Sequence, residues 1–181
     1  MNIKFENVDI NRPGHNQIYT VGFNLKNKGL IEDVKVAGSV TGNNDVAGIV
    51  NKIDEDGKVE NVAFIGKINS VGNNSTVGGI AGSNYMGFVN RAYVDATITA
   101  QNANASMLVP FVTYMLNSWK SGTKAKVTNS VAKGVLDVKN TRNVGGIVAK
   151  TWPYGAVQDI VTYAKVIKGQ EIFSSNVVNE V

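Results

Sequence analysis

A chain of 181 residues that is 43% hydrophobic holds enough apolar material for one packed domain or one stretch of solenoid. No apolar run approaches the roughly 18–20 residues of a membrane span, and Met1 is not followed by a basic and then apolar leader, so the chain is either cytosolic or a piece excised from something larger. The absence of cysteine excludes disulfides and thiol chemistry, and a net charge of +4, spread out except for a modest cluster at Lys120, Lys124 and Lys126, suits a solvated surface better than nucleic acid.

The chain repeats itself. Its first segment is the least regular: Phe5, Val8 and Ile10 supply one strand, Thr20, Val21, Gly22 and Phe23 a second, and His15 lies between. Residues 28–40 then return as 56–68, 87–98, 125–136 and 155–166. Each copy opens on a turn residue: Gly29, Gly57, Gly87, Ala125 and Gly155. Two residues later comes an apolar side chain: Ile31, Val59, Val89, Val127 and Val157. From the fifth to the eleventh position, inward and outward residues alternate. The inward series reads Val34, Val36, Gly38, Val40; Val62, Phe64, Gly66, Ile68; Ala92, Val94, Ala96, Ile98; Ser130, Ala132, Gly134, Leu136; and Ile160, Thr162, Ala164, Val166. Alternation of period two predicts a strand with one buried face. The ninth position is Gly or Ala in every copy, which predicts an inward bend or a tight packing point.

An Asn- and Gly-rich turn ends the strand, and a second small-apolar strand follows at 46–49, 77–80 and 144–147, with a weak copy at 106–109. The openers stand 28, 30, 38 and 30 residues apart. No unit of this length buries its inner face alone, whereas stacked copies do, pairing at about 4.8 Å. The expected fold is all-β: a right-handed parallel β-helix solenoid of about six coils over residues 1–169, with 170–181 as a C-terminal cap or linker stub. A propeller or sandwich would instead show antiparallel hairpins with short primed turns.

The 38-residue spacing holds an insertion. Phe111 with Met115, and Val112 with Leu116 and Trp119, fall at helical separations; Pro110 suits a first turn and Gly122 a stop. These predict a short amphipathic helix over residues 110–119, ejected at one corner of the coil. The same corner carries Tyr85 in one coil and Trp152 with Tyr154 in another. Stacking is expected to gather Tyr85, Trp119, Trp152 and Tyr154 along one edge, with Lys120 and Lys150 nearby. Aromatic and basic groups together make a candidate partner-binding patch, although the same rings would also serve to pack the helix onto the solenoid.

Catalytic patterns are missing from the sequence. His15 is the single histidine, so no His-Glu-x-x-His pair exists, and no Gly-x-Ser-x-Gly elbow occurs. Glycine runs such as Val77-Gly78-Gly79-Ile80 recur with the coil and lack the Lys-Ser/Thr of a phosphate loop. Asp54, Glu55 and Asp56 form the densest acidic run but lack a calcium loop's alternation, which favours a solvated turn. Among the outward slots between positions five and eleven, Asp95 is the one carboxylate, whereas glycoside hydrolysis wants two. Asn73-Asn74-Ser75 and Asn104-Ala105-Ser106 match a glycosylation pattern short enough to arise by chance.

Asn143-Val144-Gly145-Gly146-Ile147-Val148 and Gly78-Gly79-Ile80-Ala81-Gly82 resemble the GLUG motif of bacterial surface proteins. More extensively, Asn11-Arg12-Pro13-Gly14, the run Asn27-Lys28-Gly29-Leu30-Ile31-Glu32-Asp33-Val34, Val144-Gly145-Gly146-Ile147-Val148-Ala149-Lys150 and the Trp152-Pro153-Tyr154 corner are similar to the β-helical segment of Gram-positive zinc metalloproteases of the IgA1-protease type. The resemblance covers nearly the whole chain. It implies a secreted parent enzyme at the bacterial cell surface or wall, with zinc bound in a catalytic region elsewhere. It carries no catalytic residue, metal ligand or cofactor onto this chain, which it marks as a non-catalytic module for substrate recognition or rigid spacing. The implied partners are a host protein substrate such as immunoglobulin A or the parent's own catalytic region; the composition adds the expectation of no nucleic acid and no membrane insertion, and the chain is expected to be a monomer. The competing expectation is a free-standing adhesin or glycan-binding solenoid.

Overall fold

The computed structural model describes residues 3–73, 76–113, 125–140, 143–151, 155–168 and 171–173. Five turns of chain follow one another, each a long strand and two short ones. The first holds β1 (Ile3–Arg12), β2 (Gln17–Ile18) and β3 (Gly22–Leu25). The second holds β4 (Leu30–Gly42), β5 (Asp45–Ala47) and β6 (Val50–Ile53), and the third β7 (Lys58–Ser70), β8 (Thr76–Gly78) and β9 (Ala81–Tyr85). The fourth holds β10 (Phe88–Gln101), β11 (Asn104–Ser106) and β12 (Phe111–Thr113), and the fifth β13 (Ala125–Lys139), β14 (Asn143–Gly145) and β15 (Lys150–Thr151). A sixth long strand, β16 (Gly155–Lys168), is followed by β17 (Glu171–Phe173).

Corresponding strands stack into three sheets. The large sheet runs β1-β4-β7-β10-β13-β16-β17, and the two five-stranded sheets run β14-β11-β8-β5-β2 and β15-β12-β9-β6-β3. Among the described residues every coil-to-coil pairing is parallel, and β17 alone turns back, antiparallel, on the outer edge of β16. Parallel pairing at a coil-length period makes this a β-solenoid and excludes the propeller and the sandwich. The expected count of about six coils is corrected to five full turns, because β16 is followed by the reversed β17 rather than by two further parallel strands.

The inward columns build one continuous core. Val36, Phe64, Val94 and Ala132 lie in register and are completely buried, as are Val40, Ile98 and Leu136 two columns over, past the small ninth position. Register explains this: each inward side chain sits on its counterpart one rung away, so burial repeats with the coil. The two end strands are wetter, and Phe5 of β1 keeps 38% of its surface exposed despite its inward position.

Two departures from regular strand geometry shape the cross-section. Asp33, Asn61, Arg91, Asn129 and Asp159, four residues after the openers, all take left-handed φ between 49° and 57°. This single residue turns the strand and shifts the inward series from position two to position five, a step of three. Asn and Asp adopt that conformation at the least cost among residues with a Cβ. The ninth position is the second departure: Gly38, Gly66 and Gly134 have φ of 147°, 143° and 111°. A Cβ on Gly66 would lie 1.9 Å from the Gly38 carbonyl oxygen, so the small-residue rule has a direct steric cause.

The single second strand expected at 46–49 and 77–80 is divided in two by a corner, giving the solenoid three sides. Gly48 makes that corner: a Cβ there would sit 2.1 Å from the Gly79 carbonyl oxygen and 2.6 Å from the Phe64 ring. The helix expected over residues 110–119 is also corrected at its start. Residues 111–113 form β12, which pairs with β9 and β15, and the Pro110 carbonyl accepts hydrogen bonds from the Ala149 and Lys150 amides. Val112 is completely buried. Ladders on both sides outweigh the helical spacing of Phe111 and Val112; residues 114–119 lie outside the described ones, among which no helix occurs.

Candidate functional site

The sequence placed its candidate patch at the corner after the third strand of each coil. Of its six residues, Trp119, Lys120, Trp152 and Tyr154 lie outside the described residues. Tyr85 and Lys150 both belong to the sheet β15-β12-β9-β6-β3, Tyr85 at the end of β9 and Lys150 at the start of β15. β12 stands between them, with Thr113 opposite Tyr85 and Phe111 opposite Lys150. Two rungs and two residues of offset put their backbones roughly 12 Å apart. Tyr85 and Lys150 therefore share one sheet, two rungs apart.

Tyr85 has a different partner. Lys52 of β6 holds its ammonium 4.8 Å from the centroid of the Tyr85 ring, and the same ammonium lies 3.0 Å from an Asp54 carboxylate oxygen. The other Asp54 oxygen accepts a 3.0 Å hydrogen bond from the Asn24 amide. Asn24, Asp54, Lys52 and Tyr85 thus form one polar chain across the first three coils. Lys52 is absent from the sequence-derived patch because it lies 33 residues before Tyr85. Its signal was available in the repeat, since stacking pairs Lys52 with Ser83, two residues from Tyr85. The chain also explains Asp54, whose carboxylate is engaged by Lys52 and Asn24 rather than left to solvent.

The outer face of the large sheet carries a second cluster. Lys133 on β13 lies 2.9 Å from Asp95 on β10, and the Tyr93 hydroxyl donates a 3.4 Å hydrogen bond to the same carboxylate. The hydrogen bond to Asp95, followed by that to Tyr93, holds the Lys133 ammonium above the usual lysine range. Asp95, the carboxylate singled out among the outward slots, is thus engaged by a lysine. On the next strand, Val161 and Tyr163 are exposed, Tyr163 at 74%.

The Asn-rich turns serve the stack. The Asn16 side-chain oxygen accepts from both Asn43 and Asn44, the Asn73 oxygen from Asn102, and the Asn104 oxygen from Asn143. These rung-to-rung bonds satisfy side chains that the turn conformation demands. One glycosylation match falls within this ladder: Ser106 is completely buried and the Asn104 side-chain oxygen accepts from Asn143. A zinc centre does not fit these residues: among the described ones no three His, Cys, Asp or Glu side chains converge, and the single histidine, His15, lies exposed in the first coil.

Comparison with known proteins then places the chain. Over 181 residues, 99% of the chain, it is 49% identical to zinc metalloprotease ZmpB of Streptococcus pneumoniae serotype 4. Over 152 residues, 81% of the chain, it is 31% identical to zinc metalloprotease ZmpC of the same organism. The chain spans 10% and 8% of these two relatives, and is homologous to a segment of each. No protein-family model matches, so the GLUG likeness rests on the quoted glycine runs alone, and no solved structure matches.

Proposed function

We propose that this chain, homologous over 99% of its length with a segment of a pneumococcal zinc metalloprotease, is a non-catalytic β-solenoid module of a secreted, surface-held protease of the IgA1-protease type. In that role it grips a protein substrate, such as immunoglobulin A, for a zinc-bearing catalytic region elsewhere in the polypeptide. The observation that carries this is the 49% identity over 99% of the chain to one tenth of ZmpB. A segment of that size is one module among many in its relative.

The physical case for gripping comes from the stack. Three ladders of parallel strands hold successive coils in fixed register, so side chains on different coils keep fixed separations. A surface arranged in advance binds without a large ordering cost. The outward residues supply charges and rings, with Lys52 over Tyr85 as one instance. The catalytic zinc and its ligands belong to the parent enzyme, and no step of hydrolysis is assigned to residues of this chain.

The test is kinetic. A parent protease with this solenoid deleted should lose most of its kcat/KM on a folded protein substrate while keeping its rate on a short peptide spanning the cleavage site. If an unrelated rigid solenoid of equal length restores full activity on the protein substrate, the module is a spacer and recognition is wrong. The corner patch is probed separately by Trp152→Ala in the 181-residue chain. Lost capture of immunoglobulin A at unchanged melting temperature marks that corner as a site; lost folding marks it as packing.

A further inference from the structure

The residue after each opener points outward from the large sheet, and four of them stand side by side. Leu30 of β4 is opposite Lys58 of β7, Lys58 opposite Phe88 of β10, and Phe88 opposite Lys126 of β13. With Lys28 at the preceding turn and Glu60 on the far wall, they line a cleft of about 810 Å³ that crosses the strands along the solenoid axis. The core lies on the other face, beneath Ile31, Val59, Val89 and Val127. Leu30, 51% exposed, and the half-buried ring of Phe88 are therefore not needed to fill it. Among the described residues, none of Lys28, Lys58 and Lys126 takes part in an ion pair. The cleft thus alternates apolar and cationic groups, rung by rung, with its positive charges free.

We propose that this cleft binds an extended acidic peptide segment lying along the solenoid axis, its carboxylates on Lys58 and Lys126 and the chain between them packed over Phe88. The spacing selects the ligand. Lys58 and Lys126 are two rungs apart, roughly 9.6 Å at the usual strand separation. A chain in the polyproline-II conformation rises about 3.1 Å per residue with three residues per turn, so every third side chain returns to the same edge after about 9.3 Å. Glu60 and Asp56, also on the cleft wall, repel a uniformly charged polymer, which disfavours nucleic acid and anionic polysaccharide. This rests on the role proposed above and names the kind of protein segment that the module holds.

The 181-residue chain itself tests it by fluorescence anisotropy at physiological salt. The probe is a short fluorescein-labelled peptide with glutamate at every third position and leucine or valine between. Saturable binding is expected, weakened about tenfold by Lys58→Glu with Lys126→Glu, since each exposed pair contributes modestly. A peptide with lysines in place of the glutamates should bind the doubly reversed variant better than the original chain. Phe88→Ser should weaken the acidic peptide at unchanged melting temperature. If the charge-reversed variant fails to fold, Lys58→Gln with Lys126→Gln replaces it, and the same loss is expected. Equal binding of a peptide whose glutamates are contiguous, or of oligothymidylate, would mean generic attraction to lysines and overturn the proposal. So would the absence of saturable binding. A parent protease that needs the solenoid but tolerates the double reversal would sink this cleft and leave the module's role standing; a solenoid that any rod replaces would sink the role, whatever the peptide does.

Discussion

Single residues set the shape of each coil. The fourth position after the opener is left-handed in five copies, and four of them supply Asn or Asp there. Arg91 is the exception, at φ 52°. Because this conformation costs a residue other than Gly, Asn or Asp about 1 kcal/mol, Arg91→Asn should stabilise the chain by several tenths of that amount in urea unfolding, and Asn61→Ala should destabilise it by about the full amount. Gly66 is less forgiving. Its φ of 143° and the Gly38 oxygen 1.9 Å from a would-be Cβ leave no room for a methyl group. Gly66→Ala should lower stability by at least about 2 kcal/mol, seen as an earlier urea midpoint. The sequence shows the ninth position to be small, but it does not show the fourth position to be a bend, since Arg91 interrupts the Asn/Asp pattern.

The long strands act as elements through their register. Phe64 sits between Val36 and Val94 with no exposed surface, and its ring also closes the Gly48 corner. Phe64→Ala should therefore cost about 3–5 kcal/mol in equilibrium unfolding, by lost burial and by the cavity left behind. On the outer face, the partners of Lys133 are set by register alone. Its raised pKa means that the pair favours the folded state below the unfolded lysine value near 10.4, and that this contribution is lost as pH rises through the folded value. Asp95→Asn should lower the Lys133 titration midpoint toward that of free lysine, measured by NMR of the side-chain amine. Between about pH 5 and pH 9 the contribution of this pair should stay flat, because in that window the lysine is charged in both states. Strand β12 teaches the opposite lesson: Phe111 and Val112 carry helical spacing, yet pairing with β9 and β15 decides their conformation.

At the scale of the molecule, each coil touches only its neighbours, so stability falls toward the ends. The amides of β7 and β10, flanked on both sides by paired strands, should exchange most slowly in hydrogen–deuterium exchange. Those of β1, whose Phe5 is still partly exposed, should exchange among the first. Uniform protection from β1 to β16 would instead mean one cooperative block.

The sequence by itself determined the all-β repeat, its period, the inward columns from Val34 to Val166 and the small ninth position, because each is a local periodicity that any stacked arrangement must respect. It also carried the homology to a segment of a zinc metalloprotease. The aligned openers already put Leu30, Lys58, Phe88 and Lys126 in one outward column and Asp95 beside Lys133, but only the tertiary structure shows which side chains touch, Lys52 on Tyr85 and Lys133 on Asp95, and that the column lines a cleft. Those neighbours come from strands 28 to 38 residues apart in the chain, and a one-residue change of register would turn every one of them to the other face. Pairing between coils holds the register that the repeat sets out, and the stacked backbone, not any local preference along the chain, decides which side chains then reach one another.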